Sequence, residues 1–375
     1  MERMESTASQ SSAPAQALIN WDLAASAAAR LAPPGPSLTA AEIGDAVSQL
    51  RELADASVRH VHQITGLEAA RDLRDSSVLV VDRASWAKAN TQSFAVMLKP
   101  AIEKMLESRR GTISPGATTV SGAITGSQLG AVLAFLSSKV LGQYDPFAAL
   151  AEGSQAPPGG RLLLVAPNII AVERELNVDP TDFRLWVCLH EQTHRVQFAA
   201  APWLRHHMLN EIDNLSGHLL GNVDSLMERA TAAARSLKDR AGSGSTPGRG
   251  AILDLLQDPE EKASLSHLTA VMSLLEGHAN VVMDAVDASI VPSVKTIRQR
   301  FNARGKDRGV VEKFIRSLLG LDAKMKQYSD GAKFVRAVVD VAGMDGFNRV
   351  WEAPANLPTE EEIHNARIWL DRMGF

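Results

Sequence analysis

The chain is poor in the residues that brace small secreted folds. It has 375 residues and one cysteine, Cys188, so no internal disulfide can form, which fits a reducing compartment. Aromatic residues make up 5%, with two tyrosines, Tyr144 and Tyr328. The formal charge is −4, which gives no basic excess for wholesale nucleic-acid binding. No long apolar run is present. The nearest, "LGAVLAFLSSKVLG" at 129–142, is too short to span a bilayer and carries Lys139, so it reads as a buried core helix. The opening "MERMESTASQSSAPAQ" lacks the basic-then-apolar pattern of a secretory signal and reads as a disordered polar tail, residues 1–16. The expectation is a cytoplasmic protein with neither a nucleic-acid nor a membrane partner.

What is abundant is alanine and helical periodicity. Apolar residues reach 45%, enough for a large core. "SLTAAEIGDAVSQLRELADASVRHVHQITG" opens with Thr39 and Glu42 at capping-box spacing and keeps its apolar residues in helical register. Strand signals are few, the best being 77–82 ("SVLVVD") and 161–167 ("RLLLVAP"). Gly, Ser, Thr and Pro mark loops at 108–126 and 152–160 and a flexible one at about 236–250. The fold class that follows is mainly α with a small β element, a single domain over 17–375. Lys295 to Arg316 is strongly basic with only Asp307 and Glu312 against it; it reads as a solvated helical face.

The chemistry concentrates at "CLHEQTH", 188–194. Asp179, Pro180 and Asp182 mark the start of a helix there and Pro202 limits its end. Phe183, Trp186, Val187, His190, His194 and Gln197 follow steps of three or four and share an inward face. Two imidazoles one turn apart can reach one zinc ion at about 2.0–2.1 Å. Glu191 then stands beside the ion without ligating it, placed as a base for an attacking water. Cys188 points to another side and reads as apolar filler.

Zinc needs a third protein ligand. A third histidine six residues after His194, with glycine three after it, is excluded by Gln197 and Ala200. About twenty residues on stand Asp213 and Asn214, not glutamate; Asp213, His206 and His207 read as surface residues of the next helix. "SLLEGHANVVMD", 273–284, offers more. Glu276 lies within an apolar stripe, an expensive position unless the carboxylate is paired or ligates metal. Gly277 would allow close approach of another element. His278, about 200° round the helix from Glu276, is expected to line or orient the site rather than ligate. Asn280 is one turn after Glu276 and could support it.

"LLLVAPNIIAVERELNVDPTDFRLWVCLHEQTHRVQFAAAPWL", "LLEGHANVVMDAV" and "VPSVKTIRQRF" resemble the zincin-like metallopeptidases of actinobacteria. Many of these are labelled as associated with deazaflavin-coenzyme biosynthesis. "NWDLAASAAARLAPPGP", "LAFLSSKVLGQYDPF" and "NRVWEAPANLPTEEEI" extend the resemblance over nearly the whole chain. It implies a mostly helical zincin fold, zinc hydrolase chemistry, His190, His194 and Glu276 as metal ligands, and Glu191 as base.

An oxyanion-stabilising group is also expected; the candidates are Tyr144, Tyr328 and His278. Residues 161–167, followed by Asn168, are expected to form the edge strand that holds an extended substrate. The activity expected is zinc-dependent hydrolysis of a peptide or small amide. The alternatives are a zinc hydrolase of a non-peptide amide or ester in cofactor metabolism, and a zinc-containing binding protein without catalysis.

Overall fold

A computed structural model describes residues 18–108, 115–151, 153–221, 259–305 and 328–375. The expected tail, the 236–250 loop and the basic residues beyond 305 lie outside them.

The described helices are α1 (Trp21–Leu31), α2 (Ala40–Thr65), α3 (Arg83–Ser108), α4 (Pro115–Ser137), α5 (Ala166–Leu176), α6 (Pro180–Ala200), α7 (Leu204–Gly221), α8 (Pro259–Ala285), α9 (Val294–Gly305), α10 (Tyr328–Asn348), α11 (Glu360–His364) and α12 (Ala366–Met373). The strands are β1 (Ser77–Val81), β2 (Gly142–Asp145) and β3 (Arg161–Val165), in the order β1-β3-β2. β1 runs parallel to β3 and β2 antiparallel to it. The protein is therefore mainly α with one small sheet.

β3 explains its own composition. Leu162 and Leu164 pack into the main core, while Leu163 and Val165 enter a smaller cluster with Ala28, Trp86 and Leu133. A strand buried on both faces has no place for polar alternation. It is also the central strand, which corrects the expectation that 161–167 forms a substrate-binding edge; β1 and β2 are the edges. Asn168 is spent on structure: its amide donates to Ser137 O and Val140 O and accepts from Arg83.

The Gly- and Ser-rich stretch at 108–126 is not a loop over its described part, because α4 starts at Pro115. Small residues there serve a helix contact. A Cβ on Gly126 would stand 2.5 Å from Asn20 O, and one on Gly130 would stand 2.6 Å from Ala24 O. α1 and α4 thus pack backbone to backbone, which only glycine permits. The core helix expected at 129–142 is the second half of α4, with Leu133 and Ala134 buried, but it ends at Ser137, and Gly142 opens β2. Among the described residues no helix is long and apolar enough to cross a membrane.

The main core runs from Leu50 through α5, α6 and α8 to Met373. The arginines of α9 do not form a solvated face throughout. Arg298 donates to Met283 O, Asp284 O and Val286 O at the end of α8. Arg300 does the same at the end of α5, through Leu176 O and Asn177 O, and Arg304 pairs with Glu175 at 2.8 Å. Cations at helix C-termini satisfy the last carbonyls and complement the helix dipole.

Candidate metal centre

The motif helix α6 begins where the sequence sets it: the Asp179 side chain accepts from Asp182 N at 2.9 Å, and Pro180 occupies the first turn. Three side chains then fix it in place. Gln192 donates to Ala54 O on α2 at 2.6 Å. Arg195 donates to Ser76 Oγ at 2.5 Å and to Leu73 O and Ser76 O, tying the helix to the chain entering β1. Cys188 is fully buried against Leu50, and burial raises its thiol pKa far above the ordinary value. Such a thiol is inert.

With α6 held, its two histidines meet α8. The His190 and His194 rings stand 5.0 Å apart, nearly perpendicular. His194 Nε2 lies 3.7 Å from Glu276 Oε1. One donor atom from each of His190, His194 and Glu276 falls within 4.8 Å of the other two. Two ligands on one tetrahedral zinc at 2.0–2.1 Å are separated by about 3.3 Å, so the cluster needs only small side-chain adjustments to close on an ion. Glu276 is about a third exposed, at the edge of the apolar stripe rather than sealed in it, so the cluster is reachable from solvent.

The orientation of His194 is set from behind. Its Nδ1 lies 3.0 Å from Gln197 Oε1. Gln197 Nε2 lies 2.9 Å from Leu275 O and 3.0 Å from His278 Nδ1. A backbone carbonyl only accepts, so the amide nitrogen must face Leu275 and the amide oxygen must face His194. It follows that His194 carries its proton on Nδ1 and presents the Nε2 lone pair to Glu276 and any shared cation. The same logic makes His278 an acceptor at Nδ1. His278 is fully buried, its ring on Phe347 at 5.1 Å and near Trp351 at 5.4 Å. Burial first, and the neighbouring His194 second, depress its pKa to about 3, so it is neutral at physiological pH. His278 therefore sits behind the cluster as the buried end of a His194–Gln197–His278 chain. A partner that fixes tautomer and ring angle is the usual outer support of a metal-binding histidine.

Glu191 is buried beside the cluster. Burial first, and the charge of Glu276 second, push its pKa up to about 8. A divalent cation next to it would reverse that balance and favour the carboxylate. Its side chain rests on β2: a Cβ at Gly142 would stand 2.6 Å from Glu191 Cγ, 2.7 Å from Cδ and 3.0 Å from Oε1.

The remaining candidates fall elsewhere. Tyr144 donates its hydroxyl to Gly159 O and packs on Phe198 at 5.4 Å, two turns past Glu191; burial lifts its pKa to about 12. The structure does not bring that hydroxyl to the cluster. Tyr328 opens α10. Asn280 is exposed. Asp213 pairs with Lys104 at 2.8 Å, His206 is exposed and His207 contacts His267. Gly277 does allow a close approach, as expected: it meets the backbone of Gly331 on α10. Gln197 and Gly142 carried no functional signal beyond position. Gln197 lies three residues after His194 on the ligand face, which was the only hint available.

Two histidines one turn apart, a converging carboxylate from a second helix and a buried glutamate beside them are the donor set of a metallohydrolase. The chain belongs to the zincin-like metallopeptidase family, whose family model matches residues 19–370. It is also similar to a crystal structure from Chloroflexus aurantiacus described as a "putative hydrolase with a novel fold". That similarity has a TM-score of 0.66 and 32% identity and covers 95% of this chain and 99% of the other. Among curated proteins, none matched.

Proposed function

We propose that the protein is a zinc-dependent hydrolase of peptide or amide bonds, with His190, His194 and Glu276 as the protein ligands and Glu191 as general base. One observation carries this reading: donors from two separate helices converge while the one glutamate that follows His190 is buried beside them. The donor set, two imidazoles and a carboxylate, leaves the fourth position of a tetrahedral ion to water, as catalytic zinc requires. When bound, the ion supplies Lewis acidity and brings the pKa of a water to about 7.

The chain's residues do the rest. Glu191 accepts a proton from the attacking water and delivers it to the leaving amine. Gln197 holds His194 Nδ1–H, so that His194 does not compete as a base. β2 is the edge strand against α6, with Gly142 at the base, and an extended substrate adding to that edge would place its carbonyl near Glu191. The association with deazaflavin-coenzyme metabolism rests on sequence resemblance, and a non-peptide amide substrate would use the same residues.

Glu191→Gln tests the reading directly. The variant should retain zinc by metal analysis and lose turnover on fluorogenic peptide and small-amide libraries by at least about 100-fold. Turnover equal to the parent enzyme's would refute it.

A further inference from the structure

The cluster at Glu276 is not the only place where histidines and a carboxylate converge. His207 and Glu211 lie one turn apart on α7, so they share a face. His267 meets them from α8, which packs along α7. One donor atom from each of the three lies within 4.8 Å of the others. His207 Nε2 and His267 Nε2 are 2.6 Å apart, with rings 4.9 Å from centroid to centroid and 77° between planes. All three side chains are half-buried. His207 is also braced from behind by Trp203, ring to ring at 5.8 Å, whose indole N–H is bonded to Trp351 O.

Two imidazole nitrogens cannot face each other at that distance with a proton on each, so at least one ring offers a lone pair toward its partner. That is the arrangement from which a cation displaces the shared proton. Opening the pair from 2.6 Å to the ~3.3 Å spacing of two ligands on one ion needs only a small rotation of either ring. Glu211, a turn below, supplies the third donor and neutralises half of a divalent charge.

We propose that His207, Glu211 and His267 form a second divalent-cation site, matched to zinc or another borderline first-row metal, that clamps α7 to α8. It is separate from the centre at Glu276. His267 and Glu276 are nine residues apart on α8, roughly 13 Å along its axis and half a turn round it, so no ligand can be shared. The clamp closes the angle between the helix that follows α6 and the helix that carries Glu276. Its role is to hold the third ligand of the first centre in register, and it needs no part in the chemistry.

The test is zinc stoichiometry on the full chain, stripped with chelator and titrated by calorimetry, alongside thermal unfolding. The parent protein should bind two equivalents, and His207→Ala/His267→Ala should bind one while retaining the helical circular dichroism. His190→Ala/His194→Ala should also bind one. Glu211→Gln keeps the shape of the site; it should weaken the second equivalent at least tenfold and guards against a double variant that fails to fold. The zinc-induced rise in Tm should shrink in the clamp variants without abolition of the first equivalent. A parent that binds a single equivalent, lost in His190→Ala/His194→Ala and kept in His207→Ala/His267→Ala, overturns the clamp and leaves the hydrolase reading standing. The opposite loss pattern would sustain the second cation site but remove the catalytic centre, and with it the clamp's role in positioning Glu276. Two equivalents that both survive His207→Ala/His267→Ala, or a second equivalent bound as tightly by Glu211→Gln as by the parent, also overturn the clamp.

Discussion

Replacing Gln197 with leucine removes the amide that links His194 to His278 while nearly preserving its volume. Gln197 is fully buried, so water cannot take its place. Three groups lose a partner: His194 Nδ1, His278 Nδ1 and Leu275 O. Leu275 O lies inside α8 and keeps its helical acceptor role, so two imidazole nitrogens bear the loss. An unsatisfied buried polar group costs about 1–3 kcal/mol, which puts the stability loss at about 2–6 kcal/mol. Independently, His194 is freed to exchange tautomers and to rotate, and loss of such outer support lowers metal affinity about 10–100-fold. The assay is zinc competition against a chromophoric chelator, run well below the variant's Tm with its circular dichroism matched to the parent. Gln197→Glu gives a second comparison. Its carboxylate still accepts from His194, but it faces Leu275 O with an oxygen in place of an N–H, so affinity should recover more than stability. If folded Gln197→Leu binds zinc as tightly as the parent, the amide does not set the His194 tautomer and the reasoning is wrong.

Gly142→Ala pushes a methyl group into the buried stem of Glu191. A displaced base by about 1 Å should cost about 100-fold in kcat with zinc content unchanged; equal kcat in a fully zinc-loaded variant would speak against Glu191 as base. Gly277→Ala brings a Cβ into the Gly331 backbone and should lower stability by about 1–3 kcal/mol, read from urea midpoints at constant m. His278 has a folded-state pKa of about 3, below its ordinary value of 6.5, so the unfolded chain binds the extra proton first. Stability is then full above about pH 6.5 and declines as pH falls toward about 3, with a loss near 3 kcal/mol by pH 4. His278→Phe should flatten that part of the parent's stability–pH curve, and identical curves would show that His278 is not the group responsible.

Helix positions were legible because their signals are local. Thr39 and Glu42 do form a capping box at the start of α2, and Asp179 does cap α6. The four- and three-residue spacings of His190, His194 and Gln197 are fixed by helix geometry alone. Glu276 stood out because a carboxylate in an apolar stripe needs a reason. What was not legible depends on partners distant in sequence. β2 has four residues and only one β-branched or aromatic member, Tyr144, so no periodicity marks it; it exists because β3 offers a free edge beside α6. Without β2, Gly142 reads as the end of the apolar helix at 129–142, and the central strand reads as an edge. The α4 glycines failed for the same reason: their composition is that of a loop until α1 is placed against them.

His278 shows how the two kinds of information combine. Angular position on α8 puts it on a different side of the helix from Glu276, and it is not among the donors that gather at His190, His194 and Glu276. Angle alone cannot say whether the other side faces the cleft or the core. The neighbours decide that: Phe347 and Trp351 close over the ring and leave one polar contact, the Gln197 amide. A neutral histidine held there can accept the second hydrogen of that amide, whereas a charged one would oppose it. The requirement runs in one direction through the chain. Leu275 O orients the Gln197 amide, a neutral His278 accepts its second hydrogen, the amide oxygen takes the proton of His194 Nδ1, and His194 keeps a single nitrogen toward His190 and Glu276, where the proposed ion would sit. The buried end of this chain is therefore as much a condition for the geometry of the open end as the donors themselves.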